Sequence, residues 1–244
     1  MMVLNLDYIK RNLTNDGDKS VPFRWSHGAT DTDMGDGLLV YSLIQFTRSK
    51  NCVCIGSGGG FIPRIMTQAR IDLHSSGTFE GNPDYNWGDI GATYVVDPCN
   101  GIGGQSNIED ENGFYRSKFY PRFIKETSEK AYYDFFVMQD LKIDLLFIDG
   151  DHSYEGVSKD FELYKNIMSP NGLIIVHDTD LNFSENYIVS EDQKKDFHDF
   201  SGPGRFVNDF NDSSWEILNL FNHGSIKDKP SSSGITIFKK KINA

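Results

Sequence analysis

Two short apolar runs, each followed at once by polar and acidic residues, constrain the fold of this chain more than any other feature. Residues 145–148 are all apolar and are followed by Asp149, and residues 173–176 are all apolar and are followed by His177 and Asp178. A continuous apolar run of this length is typical of a parallel strand, because helices cover both faces of a parallel sheet. We therefore expect two central strands of an α/β sheet, each ending in residues that can bind or react.

Helical spacing of apolar residues alternates with further short apolar runs along most of the chain. Helices are predicted for residues 37–48, 61–73 and 129–139, and a further helix capped by Ser153 has Val157, Phe161, Tyr164 and Met168 on its inner face. Further strands are predicted for residues 52–55, 92–96, 122–125, 215–221 and 235–238, and residues 105–118 fit a short helix. Five β/α units followed by two strands with no helix between them predict a Rossmann-like, doubly wound α/β fold. Its mostly parallel seven-stranded sheet ends in a C-terminal antiparallel hairpin.

The length of the chain fits one such domain and is short for two, since it has 244 residues. We expect a single domain over residues 1–244, with a lead-in and covering helix at 1–50 and a cofactor-binding core at 51–180. Residues 181–244 would supply the last strands and the substrate-side loops. Residues 74–89 read as an inserted loop that is rich in Gly, Asn and Asp.

Charge and cysteine content exclude several classes of partner. The net charge of −11 does not suit a protein that follows a phosphate backbone. No apolar run approaches the ~18 residues needed to span a bilayer, and residues 1–10 do not resemble a signal peptide. The three cysteines are an odd, sparse set, typical of a reducing compartment. We expect a cytoplasmic protein without nucleic-acid or membrane partners, and homo-oligomerisation stays open.

A glycine-rich loop follows the first predicted strand. Gly56, Gly58 and Gly60 alternate there with Ser57 and Gly59. Glycines let the backbone approach a ligand closely and leave the amides of the next helix turned toward it, as in nucleotide sites. The same spacing also serves a tight turn between a strand and a helix with nothing bound, so both interpretations stay open.

Asp97 ends the second predicted strand, at the edge where ligands of open α/β sheets bind. A carboxylate at this place can accept hydrogen bonds from both ribose hydroxyls of a nucleotide-like cofactor. The alternative is a turn residue preceding Pro98, because aspartate is common in turns.

The stretch from Asp144 to Val157 and the stretch from Gly172 to Asp178 together resemble the class I S-adenosylmethionine (SAM)-dependent methyltransferases. More narrowly, they are similar to the branch of macrocin and other sugar O-methyltransferases, and residues 35–39 resemble the helix that covers the cofactor in that branch. The resemblance implies an O-methyltransferase that acts on a hydroxyl of a small or glycosylated acceptor. Gly56, Ser57, Gly58, Gly60, Asp97 and Asp149 would then bind SAM.

The resemblance also implies a metal ion at the ends of the two central strands. Neighbouring strands lie ~4.8 Å apart, so Asp149 and Asp178 would repel each other without a cation between them. Mg²⁺ with oxygen ligands is the expected ion, with Thr179 as a further ligand, and it would lower the pKa of the acceptor hydroxyl. His152 matches the position of the general base in the sugar methyltransferases; a helix-entry residue bonded to nearby backbone is the structural alternative.

Two positions depart from the family pattern, and two rival functions stay open. Cys54 stands where the family has an acid two residues before the first glycine, and Thr179 stands where metal-dependent relatives have asparagine. Cys54 would suit a non-catalytic protein that kept the fold for binding, although the acids and His152 oppose this. His152, His177 and an aspartate are also the ligand types of a non-haem iron oxygenase, but that set is usually mounted on a β-barrel. His177 is expected to act beside the ligands or toward the cofactor.

Overall fold

The structure is a computed structural model of the chain. It describes residues 27, 34–56, 60–75, 91–98, 121–181, 202–220, 225–226, 229–230 and 234–242. Ser57 and Gly58 of the predicted cofactor loop, the predicted helix at 105–118 and residues 76–89 of the predicted loop lie outside the described residues.

Seven strands form one sheet with the order β3-β2-β1-β4-β5-β9-β6. The strands are β1 (Cys52–Ile55), β2 (Thr93–Val96), β3 (Arg122–Ile124), β4 (Ile143–Ile148), β5 (Met168–His177), β6 (Trp215–Leu220) and β9 (Ile235–Lys240). Between β6 and β9 in the sequence, β7 (Ser225–Ile226) and β8 (Lys229–Pro230) form a two-stranded ribbon.

The strand pairing confirms the predicted Rossmann-like fold. Strands β1 to β5 pair in parallel, and β9 lies antiparallel between β5 and β6. The order of the strands reverses between β1 and β4, which is the place where open α/β sheets form a ligand-binding crevice. The carboxyl ends of β1, β4 and β5 therefore frame the candidate site.

Five α-helices lie in the described part of the chain. They are α1 (Asp36–Thr47), α2 (Phe61–Ser75), α3 (Ser128–Ala131), α4 (Tyr154–Tyr164) and α5 (Gly202–Asp209). The buried side chains form two main layers: Cys52 and Cys54 of β1 face the layer with α1 and α2, while Val53 and Ile55 face the layer with α3 and α4. No helix of the described residues is long and apolar enough to cross a membrane.

Two local predictions were wrong, the type of helix at 129–139 and the boundary between α4 and β5. The helix predicted for residues 129–139 is α-helical only to Ala131 and continues as a π-helix over Tyr132–Val137, where Phe136 packs against Tyr94. Met168 lies in β5 rather than on a helix face, because α4 gives way to a 3-10 turn at Lys165–Ile167. Strand β5 starts earlier than predicted, and a register shift beside Ile143 accommodates its first residues.

Helix α5 was not predicted, since residues 181–244 were expected to supply only strands and loops. Its sequence begins Gly202-Pro203-Gly204, and glycine and proline are the weakest helix formers. Phe206 of this helix is buried and packs against Phe161 of α4, so tertiary packing stabilises a helix that propensity disfavours.

Candidate active site

Only glycine fits at position 56, because the ends of β1 and β4 approach each other closely there. Its backbone has a φ of 81°, and a Cβ atom at this position would lie 2.0 Å from the carbonyl oxygen of Asp149. Gly60 also has a positive φ, of 72°. Packing of the β1 end against the β4 end thus explains Gly56 by itself, and binding of SAM by Gly56 and Gly60 stays a prediction.

Asp97 and Cys54 lie on the β2 and β1 side of the same crevice. Asp97 follows β2, is buried, and donates its backbone N–H to the carbonyl oxygen of Ile124 at 3.1 Å. The thiol of Cys54 donates a hydrogen bond to the carbonyl oxygen of Gly56 at 3.0 Å. Cys54 thus contacts the glycine loop that the usual acid would organise. A bond between Asp97 and a ribose stays a prediction.

Asp149, His152 and Asp178 come together as the sequence predicts. Asp149 and Asp178 follow paired strands, since Ile148 of β4 is in register with Val176 of β5. The Nε2 atom of His152 lies 3.2 Å from Oδ1 of Asp149 and 3.0 Å from Oδ2 of Asp178. One imidazole nitrogen therefore bridges the two carboxylates.

Local backbone structure fixes the position of His152. Oδ1 of Asp151 accepts the N–H of Ser153, and Oγ of Ser153 accepts the N–H of Gly156, which caps α4. On the other side, Gly202 of α5 lies so close that an added Cβ would be 2.1 Å from the carbonyl oxygen of His152. Asp151 is thus bound to the turn that carries His152.

Asp178 has a backbone conformation that non-glycine residues rarely adopt. Its φ is 58°, in the left-handed region that aspartate tolerates better than most residues do. Such strained residues are concentrated at functional sites. The conformation turns the Asp178 carboxylate toward His152 and His177.

Three further residues complete the cluster, and two of them, His27 and Asp36, were not predicted as site residues. His177 lies with Nδ1 at 3.3 Å from Oδ1 of Asp149 and 3.2 Å from Oδ1 of Asp178, and with Nε2 at 3.1 Å from Oδ2 of Asp36. His27 has Nδ1 at 3.2 Å from Nε2 of His177 and Nε2 at 3.6 Å from Oδ2 of Asp149. Asp36 belongs to the segment that resembled a covering helix, whereas His27 belongs to no motif.

Burial and pairing set the charges of these groups. Burial lowers the pKa of His152, but hydrogen bonds to Asp149 and Asp178 outweigh it and raise the pKa to about 10. Burial likewise lowers the pKa of His177, but the charges of Asp178 and Asp149 hold it well above its usual value. The pKa of His27 is lowered by burial and by the neighbouring His177.

The pKa values of Asp149 and Asp178 are lowered, whereas those of His152 and His177 are raised. Burial raises the pKa of Asp149 and of Asp178, yet the charge of His177 and the hydrogen bonds from His152 and His177 hold both below the ordinary value. In the absence of another cation, His152 and His177 are therefore the positive charges that compensate the two acids.

Thr179 has a different partner. Its hydroxyl oxygen accepts a hydrogen bond from Oγ1 of Thr236 at 2.9 Å, and its side chain is buried. A role of Thr179 as a metal ligand stays a prediction.

Two groups of side chains in the described residues have metal-ligand spacing, and they share one aspartate. The first group is Asp149, His152 and Asp178, and the second is His27, Asp149 and His177. Within each group the ligand atoms lie within 4.8 Å of one another. Two carboxylates beside a single imidazole nitrogen fit a divalent cation, because the cation would compensate both negative charges.

The chain is also similar to solved structures at low sequence identity. The O-methyltransferase from Bacillus cereus in complex with SAH is 14% identical, with a TM-score of 0.63 over 99% of this chain and 94% of that chain. TomG from Streptomyces achromogenes, an O-methyltransferase involved in tomaymycin synthesis and in complex with SAM, is 12% identical, with a TM-score of 0.57 over 97% and 95% of the two chains. The SAH-bound methyltransferase PaMTH1 from Podospora anserina is 14% identical, with a TM-score of 0.54 over 99% of each chain. At these identities the likeness shows the fold.

Comparison of sequences assigns the family. No curated protein matches the sequence. A family model described as a methyltransferase domain matches residues 53–179, which is more than half of the chain and includes most of β1, all of β4 and β5, and both central acids. The chain therefore belongs to the methyltransferase domain family, which confirms the class of SAM-dependent methyltransferases that the sequence resembles.

Proposed function

We propose that the chain is a metal-assisted O-methyltransferase that transfers the methyl group of SAM to a hydroxyl of a small acceptor. The observation that carries the proposal is the bridge of His152 between Asp149 and Asp178 at the crevice of a methyltransferase fold. Oxygen acceptors need a group that takes a proton, and an imidazole beside two acids supplies one. A sugar-bearing acceptor is the first class to test, following the resemblance over residues 144–157 and 172–178.

Different residues of the crevice would bind the cofactor and the acceptor. Gly56, Gly60 and Asp97 line the β1 and β2 side, where SAM would bind. Asp149 and Asp178 would hold the divalent cation, and that cation would lower the pKa of the acceptor hydroxyl. Because a sulfonium needs little activation, the protein mainly aligns the acceptor oxygen with the methyl group and excludes water.

His152 would take the proton of the acceptor hydroxyl. The acceptor oxygen forms a bond to the methyl carbon, the carbon–sulfur bond breaks with its electrons going to sulfur, and the proton goes to the imidazole. With its pKa raised to about 10, His152 already carries this proton when it faces both acids alone. His152 can therefore act as a base only when another positive charge compensates Asp149 and Asp178.

Removal of metal tests the role of the cation. We expect a chelator to abolish methyl transfer, with SAM affinity nearly unchanged by isothermal titration, and added divalent metal to restore the rate. Full turnover in excess chelator would contradict metal assistance. Absence of SAM binding with or without metal would instead favour a non-catalytic binding protein.

Substitution of His152 tests the base. His152→Ala should lower turnover by ~10²–10⁴-fold while SAM affinity changes little. Asp180→Asn is the matched control, because Asp180 lies two residues beyond Asp178 and in neither ligand group. A merely structural His152 would instead lower the melting temperature and leave turnover per folded molecule nearly intact.

A further inference from the structure

We propose that His27, Asp149 and His177 form a nitrogen-rich cation site that takes a first-row transition-metal ion in preference to Mg²⁺. The inference extends the proposed function, because it names the class of metal and adds two ligands that the methyltransferase resemblance does not supply. It depends on three features: the spacing of the ligand atoms, the orientation of His177 by Asp36, and the type of donor atom.

The spacing of the ligand atoms suits one shared ion. Nε2 of His27 lies 3.6 Å from Oδ2 of Asp149, and Nδ1 of His177 lies 3.3 Å from Oδ1 of Asp149. Ligands that are about 2.1 Å from a common ion lie about 3.0 Å apart at octahedral angles and about 3.4 Å apart at tetrahedral angles. The two observed distances, which run to different oxygens of Asp149, are near these values, and all three ligand atoms lie within 4.8 Å of one another.

Asp36 gives His177 the orientation of a metal ligand. A ligating histidine almost always donates its other ring N–H to a carboxylate or carbonyl, which fixes the tautomer and turns the free nitrogen toward the metal. Nε2 of His177 lies 3.1 Å from Oδ2 of Asp36, and its Nδ1 lies 3.3 Å from Oδ1 of Asp149 and 3.2 Å from Oδ1 of Asp178. Nε2 also lies 3.2 Å from Nδ1 of His27, so the His27 ring must turn away from His177 when both rings bind the ion through their other nitrogens. Asp36 comes from α1, so its contact with His177 at the end of β5 is a tertiary feature independent of the ligand spacing.

The surroundings of His27 fix its ring on the same carboxylate. The ring stacks on Phe61 at a centroid distance of 6.1 Å and meets the edge of Phe147 at 5.9 Å. Its side chain is 7% exposed. Asp149 thus faces His27 with Oδ2, while Oδ1 faces His177 and His152.

The donor atoms decide which metal the group prefers. Mg²⁺ demands oxygen ligands in octahedral geometry and keeps several waters, whereas imidazole suits zinc, iron, cobalt and nickel. Two imidazoles and one carboxylate are a set that transition metals occupy with open positions for further ligands. The open positions would be available to an acceptor oxygen.

Metal titration of the metal-free protein tests the preference. We expect Mn²⁺, Co²⁺ and Zn²⁺ to bind at least about 10-fold more tightly than Mg²⁺. His27→Ala and His177→Ala should each weaken Co²⁺ binding about 10- to 100-fold, and Asp36→Asn should weaken it in the same direction through the orientation of His177. The control is Asp160→Asn, which removes a buried carboxylate of α4 outside both ligand groups and should leave Co²⁺ affinity unchanged.

Spectroscopy identifies the ligands without relying on affinity alone. In protein labelled with ¹⁵N-histidine and loaded with one equivalent of Mn²⁺, hyperfine couplings should show two directly bound imidazole nitrogens in the His152→Ala variant. The double variant His27→Ala, His152→Ala should show one. Circular dichroism of each variant confirms that it is folded.

Three results would overturn the inference. They are tighter binding of Mg²⁺ than of Mn²⁺ and Co²⁺, unchanged Co²⁺ affinity in folded His27→Ala, and absence of bound imidazole nitrogen in the His152→Ala variant. Tighter binding of Mg²⁺ together with Mg²⁺-dependent methyl transfer would leave the proposed function intact while removing the inference. Binding of Co²⁺ through two imidazoles without methyl transfer to any acceptor would support the inference and contradict the proposed function.

Discussion

Gly202 of α5 offers a test of how the fold positions His152. An alanine at this position would bring its Cβ to 2.1 Å from the carbonyl oxygen of His152 and to 2.6 Å from backbone atoms of Ser153 and Tyr154. These neighbours are backbone atoms at the start of α4, so they cannot rotate away as a flexible side chain can. We expect Gly202→Ala to push apart α5 and the turn that carries His152.

The size of the effect follows from the contact distances. A carbon atom needs more than about 3 Å from a non-bonded oxygen, so the turn must shift by about 1 Å. Such a shift breaks contacts of 3.0 and 3.2 Å between His152 and the two acids, and a misplacement of this size can cost about 10²-fold in rate. Overpacking should also cost about 1–3 kcal/mol of stability, of which a gain in helix propensity offsets up to about 1 kcal/mol.

Nuclear magnetic resonance titration of the metal-free protein detects the displacement through the pKa of His152. The pKa of His152, raised to about 10 by its two acids, should fall in Gly202→Ala because the carboxylates are farther away. The matched control is Gly204→Ala in the same helix, whose Cβ would meet the end of the Leu181 side chain at 2.8 Å and the carbonyl oxygen of Thr179 at 3.1 Å. The side chain can move and the carbonyl contact is about 1 Å longer than the one at Gly202, so the pKa of His152 should fall less in Gly204→Ala than in Gly202→Ala. Equal titration of His152 in both variants and equal melting temperatures would refute the reasoning.

Three further substitutions test other parts of the site and fold. Asp97→Ala should weaken SAM binding by one to two powers of ten in isothermal titration, since a charge-assisted hydrogen bond is worth ~1.5–3 kcal/mol; unchanged affinity would remove Asp97 from the site. Asp178→Asn should keep its left-handed backbone, because asparagine tolerates it equally, yet lose at least about 10-fold in Mn²⁺ affinity. Burial raises the pKa of Asp160 from 3.8 to about 6, although Ser128 donates a hydrogen bond to it, so folding favours its protonated form. The free energy of unfolding should therefore fall as the pH rises from about 4 to 6. In urea unfolding, Asp160→Asn should be about 3 kcal/mol more stable than the wild type above pH 6 and equally stable below pH 4.

The central acids could be predicted because parallel strands impose a shared edge. A strand buried on both faces must be apolar until it leaves the sheet, so the first polar residues after β4 and β5 mark the crevice. The register of Ile148 with Val176 then brings Asp149 and Asp178 together. The same reasoning located Asp97 at the end of β2.

The remaining members of the site could not be predicted, because their positions depend on tertiary packing. His27 is separated from His177 by 150 positions in the sequence, and no periodic pattern around it indicates a partner. Asp36 opens α1, whose approach to β5 depends on how α1 packs against α2. Helix α5 is formed against its own propensity, so the contact between Gly202 and His152 left no mark in the sequence.

The charges of the active-site cluster explain why a cysteine rather than the usual acid stands at position 54. Three carboxylates surround His177 and His152, namely those of Asp36, Asp149 and Asp178. The raised pKa values of the two histidines supply two positive charges, while the lowered pKa of His27 makes its ring neutral. Burial and the nearby Asp149 and Asp97 raise the pKa of the Cys54 thiol well above its usual value, so Cys54 is neutral as well. Among the described residues, these three carboxylates face two protonated imidazoles, and an acid at position 54 would add a further negative charge beside Asp149 and Asp97. A neutral thiol that bonds to the glycine loop is thus compatible with a third carboxylate on α1, where the usual acid would add a repulsion.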